Sequence, residues 1–207
     1  MQTEIYLIRH GVTRWNREKR IQGHRDEPLS PEGGEQAARL GTYLEEIAFE
    51  AVYASDLSRA IQTAEQITRS REMEVRTLSA IRERNLGEWE GLRIEEVKER
   101  YPDEWETVWH RGGRYGVEKA EETRKRMMAA LEELVETHPG ERIAVVSHGG
   151  SINAVLEVIS GGVHGPGRTR IRNTAISRLI HHPERGWRVE EVNRAEHLEP
   201  EGVRSGS

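Results

Sequence analysis

The chain has 207 residues, 31 Lys and Arg against 36 Asp and Glu, a net charge of -5, 35% hydrophobic residues and no cysteine. This is enough chain to bury a substantial core, and its net negative charge argues against a general nucleic-acid binder, so any anion site must be local. Without cysteine there are no disulfides, thiolate metal ligands or cysteine nucleophiles; with neither a basic-then-apolar leader nor a run near about 18 apolar residues, a cytoplasmic protein without a membrane span is expected.

Residues 4–8 are a short apolar run that reads as a strand. Ser30-Pro31 then offers an N-cap followed by proline at the first helical position, predicting a helix that ends near Glu46. Ala51 to Ala54 reads as a second strand, and Ser55 or Asp56 as the cap of a helix through Ile67, with Leu57, Ala60, Ile61, Ala64 and Ile67 at helical spacing. From Gly87 to about Gly116, Trp89, Trp105 and Trp109 lie amid charges, which suggests a helical excursion over one face with the aromatic rings as its anchors. A helix over roughly 118–137 is stopped by His138-Pro139-Gly140, a strand follows over 142–147, and a further helix over 151–159. After a glycine-rich loop over 161–167, strands near 174–181 and 187–192 are joined by a turn as an antiparallel hairpin. One domain is expected over 1–198, with a mobile tail over 199–207.

Alternating strands and helices predict a three-layer α/β/α fold with a mostly parallel sheet and an antiparallel edge. Ligands of such sheets sit at the carboxyl ends of the strands. Arg9-His10, Ser55 to Arg59 and His148-Gly149-Gly150 all fall at those ends. Two guanidiniums and two imidazoles brought together there would repel one another unless an anion sat among them, and phosphate suits them best.

The motifs Leu7-Ile8-Arg9-His10-Gly11 with Thr13 and Asn16, Gln22-Gly23, Pro28-Leu29-Ser30, Ser55-Asp56-Leu57-Ser58-Arg59-Ala60 with Thr63-Ala64, Arg82-Glu83, Gly87-Glu88-Trp89-Glu90-Gly91 and Val146-Ser147-His148-Gly149-Gly150 occur in that order. In them the chain resembles the histidine phosphatase superfamily, the phosphoglycerate mutase-like proteins, over nearly its whole length. The resemblance implies a phosphomonoester hydrolase with His10 as the nucleophile that becomes phosphohistidine. It makes Arg9, Arg59 and His148 the donors to the phosphate oxygens, and Glu83 the acid towards the leaving alcohol, then the base on water. Asn16, Gln22, Gly23 and Gly149 border the phosphate by the same resemblance, and the N–H groups of Gly149 and Gly150 are further expected donors.

No cofactor is implied, and the scattered histidines show no metal-ligand spacing, so no metal site is expected. The expected partner is a small phosphorylated metabolite; oligomeric state is left open. A compact chain with a short polar tail favours hydrolysis over a bisphosphoglycerate-dependent mutase reaction, which remains the alternative. A broad-specificity phosphatase and a dedicated one, such as an α-ribazole or sugar phosphatase, are equally compatible, and a non-catalytic phospho-ligand binder is the reading from another class. Phosphatases of this kind often carry Gly-Glu-Ser before the long helix; here Val117-Glu118-Lys119 stands nearest, which leaves specificity open.

Overall fold

In the computed structural model, which describes residues 1–199, the apolar run near the N-terminus becomes β1 (Thr3–Arg9), an interior strand of a six-stranded sheet. The other strands are β2 (Ala51–Ala54), β3 (Val75–Thr77), β4 (Arg142–Ser147), β5 (Ile176–His182) and β6 (Gly186–Arg194), in the order β3-β2-β4-β1-β5-β6. β1, β2, β3 and β4 are parallel, β5 runs antiparallel to β1, and β6 antiparallel to β5. All but the first residue of the expected tail over 199–207 lies outside the described residues.

Burial on both faces explains why the inner strands read as unbroken apolar runs. Successive side chains of a strand point to opposite faces. On β4, Ile143 and Val145 join Met127, Leu131 and Leu134 of α6 (Ala120–Thr137) with Ile152, Val155 and Leu156 of α7 (Gly149–Ile159). Ala144 and Val146 join Leu40 of α2 (Pro31–Tyr43) with Ala60, Ala64 and Ile67 of α3 (Ser58–Thr68) on the other face. A third cluster of Ile21, Leu86, Trp89, Val97, Val108 and Val117 closes the excursion, which holds α4 (Ile94–Arg100) and α5 (Trp105–Arg111). Trp89 is fully buried and Trp105 stacks on it, so these rings do anchor the excursion. No described helix is long and apolar enough to cross a membrane.

The structure departs from the sequence reading at element ends. The short α1 (Arg14–Arg17) and β3 leave no periodic signal, being four and three residues long. α2 stops at Tyr43, not near Glu46. Neither Ser55 nor Asp56 caps α3: its N-cap is Leu57, while Asp56 accepts two bonds from Arg82, at 2.6 and 2.7 Å. α7 opens at Gly149, two residues before the expected start.

These elements bring three chain segments to one edge. His10 N donates to Ser147 O at 3.0 Å, and Ser55 N to Val146 O at 2.9 Å, so the chain leaves β1, β2 and β4 side by side. The N-terminus of α2 packs against the loop after His10 so closely that a Cβ on Gly33 would collide with the carbonyl of Val12, and one on Gly11 would lie 2.6 Å from Gly33 O. Gly34, next along the helix, has nothing within 4 Å of its own added Cβ. Gly34→Ala should therefore raise the unfolding free energy by roughly 0.4–1 kcal/mol, whereas Gly33→Ala should lower it by about 1–3 kcal/mol, both read from urea unfolding midpoints.

Candidate active site

His10 follows β1 and is only 3% exposed. Its Nδ1 lies 2.7 Å from the carbonyl oxygen of Gly11. A carbonyl can only accept, so Nδ1 carries the proton and the lone pair sits on Nε2. Burial, then the charges of Arg59 and Arg9, hold the imidazole pKa well below 6.5. His10 thus presents a neutral ring with its basic nitrogen turned away from its backbone anchor.

His148, the N-cap of α7, is fully buried with its ring centroid 5.1 Å from that of His10. Arg59 Nε donates to its Nδ1 at 3.2 Å, which leaves the proton on Nε2, a buried nitrogen with no acceptor among the described residues. Burial, followed by the charges of Arg59, His10 and Arg9, keeps this ring neutral too. The two imidazoles therefore face the site in opposite tautomers, one offering a lone pair and the other an N–H.

Arg59 stands in the first turn of α3, yet it is fully buried. Its Nη1 and Nη2 donate to the carbonyls of Arg25 and Gly23 at 2.8 Å each. With the bond to His148, three of the five N–H groups that a guanidinium carries are spent on the protein. Burial pulls its pKa down to about 10. Arg9 donates from Nη1 to Ile171 O at 2.6 Å, and its buried Nε has no acceptor among the described residues. Burial lowers its pKa as well, with the charge of Glu83 acting in the opposite sense.

Glu83 is placed by backbone. Its Oε1 accepts from the N–H groups of Arg84 and Ser151 at 2.9 and 3.0 Å, and its Oε2 from that of Gly150 at 2.9 Å. The first turn of α7, whose free N–H groups favour an anion, thus seats a carboxylate. This corrects one expectation, because the Gly150 N–H is committed to Glu83 rather than left for phosphate. Gly149 packs its Cα against the Arg9 guanidinium, where an added Cβ would lie 3.3 Å from Nε.

The remaining predicted residues hold the loop after His10. Asn16 closes a capping box on Thr13, and Gln22 Oε1 accepts from the Thr13 hydroxyl at 2.9 Å. Their amide oxygens are engaged by Thr13, which leaves their NH2 groups to act as donors. Gly23 has φ +52°, and any Cβ there would run into the carboxylate of Glu90.

Several residues that the sequence reading did not single out support this set. Glu90, in a quoted motif but without a role, accepts from the N–H groups of His24 and Leu86 at 2.8 and 3.0 Å. Asn173 Nδ2 donates to His10 O at 3.0 Å, and the Gly11 N–H donates to Thr63 Oγ1 at 3.0 Å. Arg126 of α6 donates to the carbonyls of Ala80, Arg82 and Glu83 at 2.9, 2.9 and 3.0 Å. It is itself held by Glu118 through two bonds at 2.7 and 2.9 Å. Glu118 is the centre of the unusual Val117-Glu118-Lys119, and in this chain it acts as a tether for the Glu83 loop. Such partners come from distant segments, so no local spacing signals them. Among the described residues, no three His, Asp or Glu side chains group as a metal site requires.

With Arg9, Arg59, His148 and Glu83 surrounding a neutral His10, the site can bind a phosphate-sized anion and offer it a nucleophile on one side and a carboxylate on another. Comparison with known proteins points the same way. A model of the histidine phosphatase superfamily (branch 1) matches residues 5–195. The chain is 33% identical over 196 residues to an uncharacterized phosphatase, PhoE, of Bacillus subtilis, covering 95% of this chain and 97% of that one. It is 32% identical over 209 residues to the probable phosphoglycerate mutase GpmB of Salmonella paratyphi A, covering 95% of each. The solved structure of YhfR from Bacillus stearothermophilus superposes with a TM-score of 0.88 at 28% identity, over 95% of this chain and 100% of that one.

The neutral imidazoles carry a pH signature. Because their folded pKa values are lowered from 6.5, the unfolded chain takes up protons that the folded chain refuses as pH falls below that value. Their contribution to stability is complete above the unfolded pKa and is lost on acidification, by up to about 1.4 kcal/mol per pH unit for each ring. Histidine 15N NMR near pH 6 should show both rings neutral, protonated on Nδ1 in His10 and on Nε2 in His148; an imidazolium signal from either would contradict the assignment.

Proposed function

The chain belongs to the histidine phosphatase superfamily, branch 1, and on that premise we propose that it hydrolyses phosphomonoesters through a phosphohistidine on His10. The observation that carries the reading is the tautomer of His10: with Nδ1–H tied to Gly11 O, a lone pair on Nε2 faces a cluster of unsatisfied donors. In the first step Nε2 attacks phosphorus in line while the bond to the ester oxygen breaks, and Glu83, which takes up a proton as the negatively charged phosphate monoester binds beside it, gives that proton to the departing oxygen. In the second, water attacks the phosphohistidine, Glu83 takes the proton back, and inorganic phosphate leaves with His10 neutral again. Arg9, the two free N–H groups of Arg59 and His148 Nε2 stabilise the charge on the equatorial oxygens, the task a metal performs in other phosphoryl transfers.

The substrate side of this proposal is a small phosphorylated metabolite. Similarity to GpmB at nearly the same identity as to PhoE gives the mutase alternative a specific footing, since the two reactions share the phosphohistidine and differ in whether water or a second phosphoglycerate accepts the group.

Purified protein should hydrolyse p-nitrophenyl phosphate in the presence of EDTA, and His10→Ala should abolish turnover; full loss on chelation with recovery by one added metal would overturn the metal-free mechanism. Glu83→Gln should lower kcat by about 10²–10⁴-fold on alkyl phosphates and by less on p-nitrophenyl phosphate, whose leaving group needs no proton. Supplied with 3-phosphoglycerate and 2,3-bisphosphoglycerate, the enzyme should release free phosphate; 2-phosphoglycerate without phosphate release would establish the mutase.

A further inference from the structure

The ester oxygen that leaves phosphorus as His10 attacks has to meet Glu83, so the organic part of the substrate occupies a space that Glu83 borders. Glu83 borders a crevice of about 300 Å³ walled by Leu86, Trp109, His110 and Arg124, which Arg9 does not line. It also borders one of about 440 Å³ lined by Arg9, Gly149, Asn153 and the segment from Gly167 to Ile171, where a leaving group can reach Glu83 while its phosphate stays on Arg9. A larger crevice, about 570 Å³, is lined by Arg9, Arg170, Arg172 and Asn173 but not by Glu83.

The segment Arg168-Thr169-Arg170-Ile171-Arg172 alternates like a strand: Ile171 is buried and Thr169 half-buried, while the three arginines are exposed. It is fastened to the site. Ile171 O accepts from Arg9 at 2.6 Å, Thr169 O from Asn153 Nδ2 at 3.0 Å, and Arg172 N donates to Asn193 Oδ1 at 2.7 Å. Arg168 and Arg170 are thereby held over the crevice that Arg9 and Glu83 both border, and Arg170 lies near enough to Arg9 for its charge to be felt there.

The acidic residues outnumber the basic ones, and three arginines nearby find carboxylates: Arg82 pairs with Asp56, Arg126 with Glu118 and Arg124 with Glu157, all at 2.9 Å or less, while Arg9 and Arg84 are held by backbone carbonyls. Among the described residues, Arg168 and Arg170 have no carboxylate within 4.0 Å and no side-chain hydrogen bond. Two unpaired cations one residue apart, beside a pocket that already holds Arg9, repel one another unless an anion joins them.

We propose that Arg168 and Arg170 form an anion subsite for the leaving group, selecting phosphomonoesters whose alcohol carries a second negative charge over esters of neutral alcohols. This rests on the phosphatase reading above. The second charge is a carboxylate or another phosphate, either of which accepts two parallel bonds from a guanidinium.

Two matched substrate pairs separate these sources. 3-Phosphoglycerate and glycerol 3-phosphate differ only in a carboxylate against a hydroxymethyl group; 1,3-propanediol bisphosphate and 3-hydroxypropyl phosphate differ only in the second phosphate. For at least one pair the wild type should favour the more anionic member in kcat/KM by about ten- to a hundredfold, and the pair that shows it identifies the anion. R168Q/R170Q should bring that ratio close to one, and R168K/R170K, which keeps the charge but not the paired bonds, should retain only part of it. Raising ionic strength from about 0.05 to about 0.5 M should shrink it, because these guanidiniums are exposed. A wild type that discriminates neither pair, or a double glutamine variant that keeps the preference, overturns the subsite. Failure to hydrolyse any ester, p-nitrophenyl phosphate included, would instead overturn the phosphatase reading and the subsite with it.

Discussion

The site is organised around a guanidinium that has been taken out of water. Arg59 is fully buried and has no carboxylate in direct contact, so its charge is met by the carbonyls of Gly23 and Arg25 and by the imidazole of His148. Each of those bonds does a second job. The two carbonyls fix the path of the loop after His10, and the third partner selects the tautomer of His148. Removing the cation would leave these three acceptors unmatched, and the loop and the second imidazole would lose their common reference point.

Electrostatic consequences follow from the same burial. Burial first, and then two arginines close to the two imidazoles, make protonation of either ring unfavourable, so the groups that prepare the pocket for an anion also help keep the histidines neutral. The single carboxylate facing them, Glu83, is held by the N–H groups of the turn that follows His148. Cations, rings and carboxylate are therefore set by short connections to the ends of β1 and β4 rather than by flexible side chains reaching in from solvent, which suits a reaction whose proposed transition state is stabilised mainly by positioning.

The excursion is coupled to this arrangement at two places. Glu90 reaches back to the His24 backbone, and Arg126, clamped by Glu118, gathers the carbonyls that lead into Glu83. The stacked Trp89 and Trp105 give that subsidiary core its rigidity, so the carboxylate loop is supported from the side that walls the smaller crevice beside Glu83, lined by Leu86, Trp109 and His110. Variation in the excursion and in the arginine segment after Gly167 can thus alter what is accepted beyond Glu83 without disturbing the bonds around Arg59.

Much of the fold was legible because its cause is local and repetitive. Apolar runs bounded by turn residues identified β1, β2 and β4, the Ser30-Pro31 cap identified α2, helical spacing α3 and the His138-Pro139-Gly140 stop α6, and the placement of Arg9, His10, Arg59 and His148 at strand ends followed from alternation alone. The motif resemblance added Glu83. The short α1 and β3 carry too few residues for a pattern, and the caps of α3 and α7 and the committed N–H of Gly150 were not legible because each depends on a partner far away in the chain: Asp56 is drawn off by Arg82, and Gly150 by Glu83. The sequence by itself determined which chemical groups exist and roughly which strand each one follows. Only the tertiary structure decided the tautomers of His10 and His148, the burial of Arg59 and the free arginines beside Glu83, because hydrogen-bond partners and desolvation are properties of neighbours in space, which sequence order does not encode.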